Sequence, residues 1–309
     1  MNNSLPPDLM QDAPPAGEMQ QLAPGLRRIL APNPSPMTFW GTNTYVLGEG
    51  AVTLVDPGPE LAQHAKAILD GLHPGESIAR ILITHAHVDH SPLARPMAEA
   101  AGCKVFAYGG PTAGRSEVMR ALVEAGMATG GEGVDQGFAP DIPLADGETL
   151  DIGNGRTIEA IWTPGHFCNH LSFAMNDVLL SGDHVMGWAS TMISPPDGDL
   201  TAFMSSCEKL LGRSEARYYP GHGAPVETPK ARLDWLMAHR RGRETDILQA
   251  LSKGPATVPA LAKAIYKDTP DALLGAAQRN VFAHLIDLTT RQKTIATPAL
   301  SANATFAQA

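Results

Sequence analysis

Cysteine is scarce in this chain. Its 309 residues hold three, Cys103, Cys168 and Cys207. They are odd in number and too widely spaced for a C-x-x-C pair or a disulfide framework, so a reducing compartment is the simpler expectation. No apolar run approaches the roughly 18 residues that suggest a membrane span. The opening Met1-Asn2-Asn3-Ser4-Leu5-Pro6-Pro7 has neither the basic start nor the apolar stretch of a secretory signal. A cytoplasmic protein without a membrane partner is expected. Aromatics are few, with 4 Trp, 5 Tyr and 8 Phe, and no basic run is present. Both absences count against a surface built to stack and neutralise single-stranded nucleic acid.

The composition, 43% hydrophobic and 18% charged, supplies a sizeable core and excludes wholesale disorder. The length suits about two domains of roughly 150 residues, or one large domain with an appendage. The net charge of −9 is lopsided. Residues 1–229 hold 12 Lys/Arg against 26 Asp/Glu, whereas residues 230–309 hold 11 against 6. An acidic body therefore precedes a basic C-terminal segment.

Residues 1–22, with Pro6, Pro7, Pro14 and Pro15, read as a flexible extension, and residues 297–309 as a flexible tail. Between them, short apolar strands alternate with helical spacings, a layered α/β pattern with sheet inside and helices outside. The continuous run Ile81-Leu82-Ile83 predicts a strand covered on both faces. From about residue 229 strands nearly vanish, and helices are expected over 232–251, 258–266 and 273–288. The expected division is a body over 23–242 and a small helical domain over 243–296, with the boundary inside the long helix near Gly242.

The strongest signal is Thr84-His85-Ala86-His87-Val88-Asp89-His90. Three histidines and an aspartate fall within six residues, directly after a buried strand. Alternation puts His85 and His87 on one side of an extended loop, where both imidazoles reach one metal. Asp89 and His90 fall at the entry to the next helix and reach a second point. Imidazole and carboxylate are ordinary ligands for Zn²⁺ and its neighbours. Further candidates recur at strand ends: His166 after Gly165, Asp183 after Gly182, and His222 after Gly221. A glycine before each lets the backbone approach a crowded site. Together they make seven ligands, enough for two metals.

These residues resemble the metallo-β-lactamase superfamily, whose pattern H-x-H-x-D-H, then His, Asp and His, is met in order over roughly residues 23–228. The resemblance implies a four-layer αβ/βα sandwich with the site at one edge. It implies that His85, His87 and His166 hold one metal, that Asp89, His90 and His222 hold the other, and that Asp183 bridges them. Asp56 matches an acidic position that supports the ligand loop. Ser91-Pro92-Leu93 stands where many members have a Gly-Gly-containing helix start. A narrower resemblance rests on Thr163-Pro164-Gly165-His166 with His170, on Ser181-Gly182-Asp183-His184, and on His239-Arg240, Arg243-Glu244, Ile265-Tyr266 and Ala283-His284-Leu285. It is to the beta-lactamase-like subgroup with a C-terminal winged helix, which includes an animal mitochondrial endoribonuclease. Thr290-Arg291-Gln292-Lys293 lacks the glycine expected at the turn of the wing.

What the resemblance implies is a zinc-dependent metallo-hydrolase in which a metal-bridging hydroxide attacks a carbonyl or phosphorus. Asp89 takes part in catalysis, while His170 and His184 are candidates to protonate a leaving group or orient a ligand. The expected substrate is a small ester or thioester. The alternatives are an endoribonuclease acting on single-stranded RNA, and a winged-helix nucleic-acid-binding or sensor protein with a structural metal site. Seven ligands with open water positions count against the last, because structural zinc sites are usually closed four-ligand cages. Assembly into a homo-oligomer stays open.

Overall fold

The structure, a computed structural model, describes residues 13–128, 133–153, 155–267 and 273–309. Seven strands form the first sheet in chain order: β1 (Met19–Ala23), β2 (Leu26–Leu30), β3 (Asn43–Leu47), β4 (Ala51–Val55), β5 (Ser77–Leu82), β6 (Lys104–Ala107) and β7 (Ile142–Pro143). The first four are antiparallel neighbours, and β4 to β7 run parallel. Helices α1 (Ala62–Asp70) and α2 (Ala94–Ala101) make the first two parallel crossovers. The second sheet has the order β12-β11-β10-β9-β8, with β8 (Thr149–Gly153), β9 (Arg156–Trp162), β10 (Leu171–Met175), β11 (Val178–Gly182) and β12 (Arg217–Pro220). Helix α4 (Leu200–Leu211) joins β11 to its parallel neighbour β12.

The period-two alternation of side chains sorts these strands into layers. In β3, Tyr45 and Leu47 face a core shared with Ala160, Phe173, Leu180 and Tyr219 of the second sheet. Val46 faces the other way, into a core with Ile68 of α1 and Met97 of α2. In β10 and β11, Ala174 and Leu179 turn outward onto Phe203 and Leu210 of α4 and Leu233 and Leu236 beyond it. The result is helix, sheet, sheet, helix. The run Ile81-Leu82-Ile83 splits between the two cores of the first sheet, Ile81 and Ile83 toward the helices and Leu82 toward the second sheet.

The long helix α5 (Pro229–Leu251) contributes Leu233, Leu236 and Met237 to the outer core of the second sheet and Ile247 and Leu251 to a separate C-terminal core. That core is completed by α6 (Val258–Ile265), α7 (Leu274–Thr290), Met119 and Leu122 of α3 (Glu117–Glu124), and Phe306. Among the described residues no helix is long and apolar enough to cross a membrane.

Three expectations need correction. Residues 297–309 are not a loose tail: β15 (Thr305–Gln308) pairs with β13 (Ala256–Thr257) and β14 (Thr294–Thr297), and Phe306 is fully buried. Burial of that one ring in the C-terminal helical core outweighs the small, polar character of its neighbours. The N-terminal extension is shorter than 1–22, because β1 crosses residue 22 and Ala16 bridges Leu30; residues 1–12 lie outside the described residues. Finally, Thr290-Arg291-Gln292-Lys293 is the end of α7 rather than the turn of the wing. Gln292 adopts φ 56°, and the amide of Lys293 donates to the Leu288 carbonyl at 2.8 Å, so Gln292 fills the left-handed position usually given to glycine.

Candidate metal centre

Every candidate ligand lies just past the C-terminal end of a strand, on one edge of the sandwich, where the two sheets are stitched together. Leu171 N–H donates to the Thr84 carbonyl at 2.8 Å, and the Tyr45 hydroxyl donates to the Pro220 carbonyl at 2.7 Å. Asn43 Nδ2 donates to the carbonyls of Pro220 and Gly223. The segment after β5 is held from beneath by Asp56. Its Oδ1 accepts the Thr84 amide at 2.8 Å, and its Oδ2 accepts the Thr84 hydroxyl at 2.6 Å and sits 2.9 Å from His90 Nδ1. Thr84 Oγ1 in turn lies 2.9 Å from His85 Nδ1. His166 Nδ1 donates to the Met192 carbonyl at 2.8 Å, and His222 Nδ1 donates to the Gly41 carbonyl at 3.0 Å. With Nδ1 engaged in this way, Nε2 of all four histidines is left facing the centre. Ser91, where the family pattern has a glycine-containing helix start, is engaged in this structure: its Oγ donates to Asp135 Oδ2 at 2.6 Å and lies 3.2 Å from the His87 carbonyl oxygen.

The ligand atoms fall into two trios. His85, His87 and His166 form one, with His87 Nδ1 lying 2.8 Å from His85 Nε2 and 3.2 Å from His166 Nε2. Asp89, His90 and His222 form the other, with His222 Nε2 at 3.1 Å from Asp89 Oδ2. Asp183 sits between them. Its Oδ2 is 3.2 Å from His222 Nε2 and 3.7 Å from His166 Nε2, and it forms a third trio with His85 and His90. Its Oδ1 is buried without a hydrogen-bond partner. An orphaned carboxylate oxygen is costly in a protein interior, and a cation is the partner that the surrounding imidazoles can accommodate. Five imidazoles and two carboxylates fit two divalent ions.

Charge reinforces this reading. Burial, together with neighbouring imidazoles, holds His85 well below its ordinary value and pushes His87 down to about 3, and burial also lowers His166. All three are neutral and open to coordination. For His90 and His222 burial acts in the same downward sense but is outweighed by Asp89 and Asp183, with Asp56 adding to His90. His90 is raised well above the ordinary value and His222 to about 10. Burial opposes ionisation of Asp89 and Asp183, yet the facing His90 and His222 hold both well below the usual carboxylate range. Without an ion, protons on the second trio do what cations would do. In metal-free protein the raised His222 contributes stability that is complete below its unfolded value near 6.5 and is lost as pH rises through about 10. The melting temperature of chelator-treated protein is therefore expected to fall between pH 7 and 10, while ion-loaded protein is spared. Equal profiles for the two forms would show that ions do not displace this proton.

Two expected participants face elsewhere. His170 points its Nε2 at the backbone amide of Asp183, 3.2 Å away, and its Nδ1 at Thr163 Oγ1, 2.9 Å away. It positions Asp183 from behind. The ring of His184 packs on Phe203, with Nε2 3.7 Å from Cys207 Sγ, inside the outer core of the second sheet. Neither is placed to protonate a leaving group. Residue types had not singled out Thr84 or the backbone carbonyls of Gly41 and Met192, which orient three of the candidate ligands. The glycine signal is explained at two positions. A Cβ on Gly182 would lie 2.5 Å from His170 Nε2, and one on Gly221 2.3 Å from Asp183 Oδ1.

Comparison with known proteins agrees with this geometry. The family model described as the metallo-beta-lactamase superfamily matches residues 37–222, which is more than half of the chain. The chain belongs to the metallo-beta-lactamase superfamily. A second model, the beta-lactamase associated winged helix domain, matches residues 257–299. A Drosophila melanogaster protein named beta-lactamase-like protein 2 homolog is 34% identical over 283 residues, covering 87% of this chain and 89% of its own. An atrochrysone carboxyl ACP thioesterase of Passalora fulva is 29% identical over 250 residues, covering 79% of this chain and 66% of its own. Among solved structures, a metallo-beta-lactamase family protein from Thermus thermophilus superposes with a TM-score of 0.74 at 25% identity, covering 94% of this chain and all of that one. The superfamily match points to a metal-dependent hydrolase, and the second match gives the chain a beta-lactamase associated winged helix domain.

Proposed function

We propose that this superfamily member is a binuclear hydrolase of acyl thioesters, with zinc as the expected ion. In this reading His85, His87 and His166 hold one ion, Asp89, His90 and His222 hold the second, and Asp183 is shared. The observation that carries it is the position of Asp183 within reach of both trios, with one buried oxygen that makes no hydrogen bond. Two such ions supply Lewis-acid charge and make water acidic enough to attack at neutral pH. The chain's own residues do the rest. Asp89 is 20% exposed, the carboxylate on the solvent side of the centre, and in this reading it accepts a hydrogen bond from the attacking water and orients it. His170 fixes the backbone of Asp183, and Thr42 Oγ1 donates to Asp89 Oδ2 at 3.3 Å.

The substrate class follows from the leaving group. His170 and His184 face away from the centre, which suits a group that departs without being protonated. A thiolate, with a conjugate-acid pKa of about 8.5 for a cysteine-like thiol, departs far more readily than an alkoxide. The similarity to an ACP thioesterase supports the same class. Room for an acyl group lies beside the first trio. A small pocket bounded by His87, His166, Phe167 and Met192 shares Asp197 with a cavity of about 320 Å³, which is lined by Met119, Trp162, Cys168 and Ala202 together with the charged Arg115, Glu117, Arg120 and Asp199. Ala202→Trp is expected to raise KM for long-chain acyl thioesters about tenfold or more while leaving short-chain ones nearly unchanged. Equal changes for both chain lengths would remove the cavity from the acyl path. The reading as a whole is tested by assaying zinc-loaded and chelated protein in parallel on an acyl thioester and on single-stranded RNA. Zinc-dependent thioester hydrolysis is expected. Cleavage of the RNA without thioester turnover would overturn the substrate assignment.

A further inference from the structure

The loop between β11 and α4 carries Met192, whose carbonyl accepts the Nδ1 proton of His166 at 2.8 Å. That bond sets the direction in which His166 Nε2 points. The backbone on either side of Met192 is held by helices of the C-terminal region. Ile193 N–H donates to Asn280 Oδ1 on α7 at 3.3 Å, and the Thr191 carbonyl accepts from the Arg240 guanidinium on α5. Arg240 also donates to the same Asn280 oxygen at 3.1 Å, and Asn280 Nδ2 is anchored on the Ala276 carbonyl. One side-chain oxygen thus receives both the loop amide and the guanidinium that grips the loop carbonyl.

Arg240 is an unusual residue to find here. It is 3% exposed, lies over the ring of Phe203, and makes no ion pair with a carboxylate among the described residues. Burying a guanidinium without a counter-ion is costly, and its visible compensation is the pair of oxygens on Thr191 and Asn280. Where the metal-ligand histidines of a site are oriented by carbonyls, displacing those carbonyls weakens ion binding about 10- to 100-fold. We propose that Arg240 and Asn280 form a brace through which the winged-helix region orients His166. They are positioning residues of the ion site made by His85, His87 and His166, and the C-terminal region is thereby part of the support of the metal centre. This rests on the binuclear reading above.

The test uses the full chain, stripped of metal and titrated with zinc against a chromophoric chelator, alongside the melting temperature of the stripped protein. Asn280→Leu removes the shared acceptor, and Arg240→Lys keeps the charge but loses the forked reach. Each is expected to weaken one of the two zinc ions about tenfold or more while changing the other less than about threefold. Asn280→Asp retains an acceptor oxygen for both donors and is expected to bind both ions as the parent does. Leu285→Ala, in the buried C-terminal core, is the stability control, expected to lower the melting temperature without selective loss of an ion. The brace is overturned if Asn280→Leu and Arg240→Lys leave both affinities unchanged or weaken them equally, or if Leu285→Ala reproduces the selective loss. A parent protein that takes up fewer than two zinc ions overturns the binuclear reading, and the brace with it, before any variant is compared.

Discussion

Asp183→Asn is expected to lower kcat/KM for a thioester about a thousandfold or more and to reduce zinc content from two ions per chain toward one. The substitution preserves shape and removes one negative charge where the two trios meet. In the parent, Oδ2 lies 3.2 Å from His222 Nε2 and 3.7 Å from His166 Nε2, and Oδ1 lies 3.6 Å from His90 Nε2. An amide can accept with its oxygen on one side only, and its NH₂ turns donors toward nitrogens or cations on the other. The shared contact is then lost even though the side chain still fits. The backbone should stay in place, because the residue's amide is held by His170 Nε2 and Gly182 by the Gly221 amide at 2.9 Å. The loss therefore reports on the carboxylate and not on a misfolded loop. Steady-state kinetics together with elemental analysis and circular dichroism check this. Two tightly held ions and parent-like turnover would show that Asp183 is not the shared ligand.

The ligand motif was legible because its spacing is local. His85, His87, Asp89 and His90 fall in six residues after a strand whose continuous apolar run already predicts burial on both faces. His166, Asp183 and His222 were legible as strand-end residues after glycines, and the close approach of neighbouring side chains explains why at Gly182 and Gly221. What was hidden depends on contacts between distant segments. The C-terminal strand Thr305–Gln308 carries one large apolar residue, Phe306, and nothing in four residues reveals that it joins a core built from α3, α5, α6 and α7. The carbonyls of Gly41 and Met192 orient His222 and His166, but a backbone carbonyl has no signature in residue type. His184 misled for a geometric reason. It follows Asp183 directly, and successive side chains leaving a strand point to opposite sides, so the residue beside the shared carboxylate turns into the α4 core. The match of His170 to the family pattern located it correctly in the neighbourhood, whereas its role behind Asp183 required the direction of its ring.

Gly221→Ala is expected to cost about a hundredfold or more in kcat/KM, with loss of bound zinc, although it adds a single methyl group. A Cβ at this position would stand 2.3 Å from Asp183 Oδ1 and 2.7 Å from His90 Cε1, far inside van der Waals contact, so something must move. The backbone of Gly221 is poorly placed to yield. Its amide donates to the Gly182 carbonyl at 2.9 Å, and its carbonyl accepts the Asn43 amide at 2.7 Å, which pins it between the two sheets. His90 is held from its far side by Asp56 Oδ2 at 2.9 Å. The Asp183 side chain is the free party, since its Oδ1 has no hydrogen bond to break, and it is expected to swing away from the junction of the trios. Misplacement of a reacting group by about 1 Å is enough for a hundredfold loss. Much of the fold should survive, because the strain is relieved by one side chain instead of by the β12 backbone. The expected signature is a far-ultraviolet spectrum close to the parent's, a modest fall in melting temperature, and zinc content and turnover that drop together. If Gly221→Ala instead unfolds the chain, the backbone has yielded before the carboxylate. If it retains two ions and full turnover, the Asp183 carboxylate does not need the position it holds in this structure.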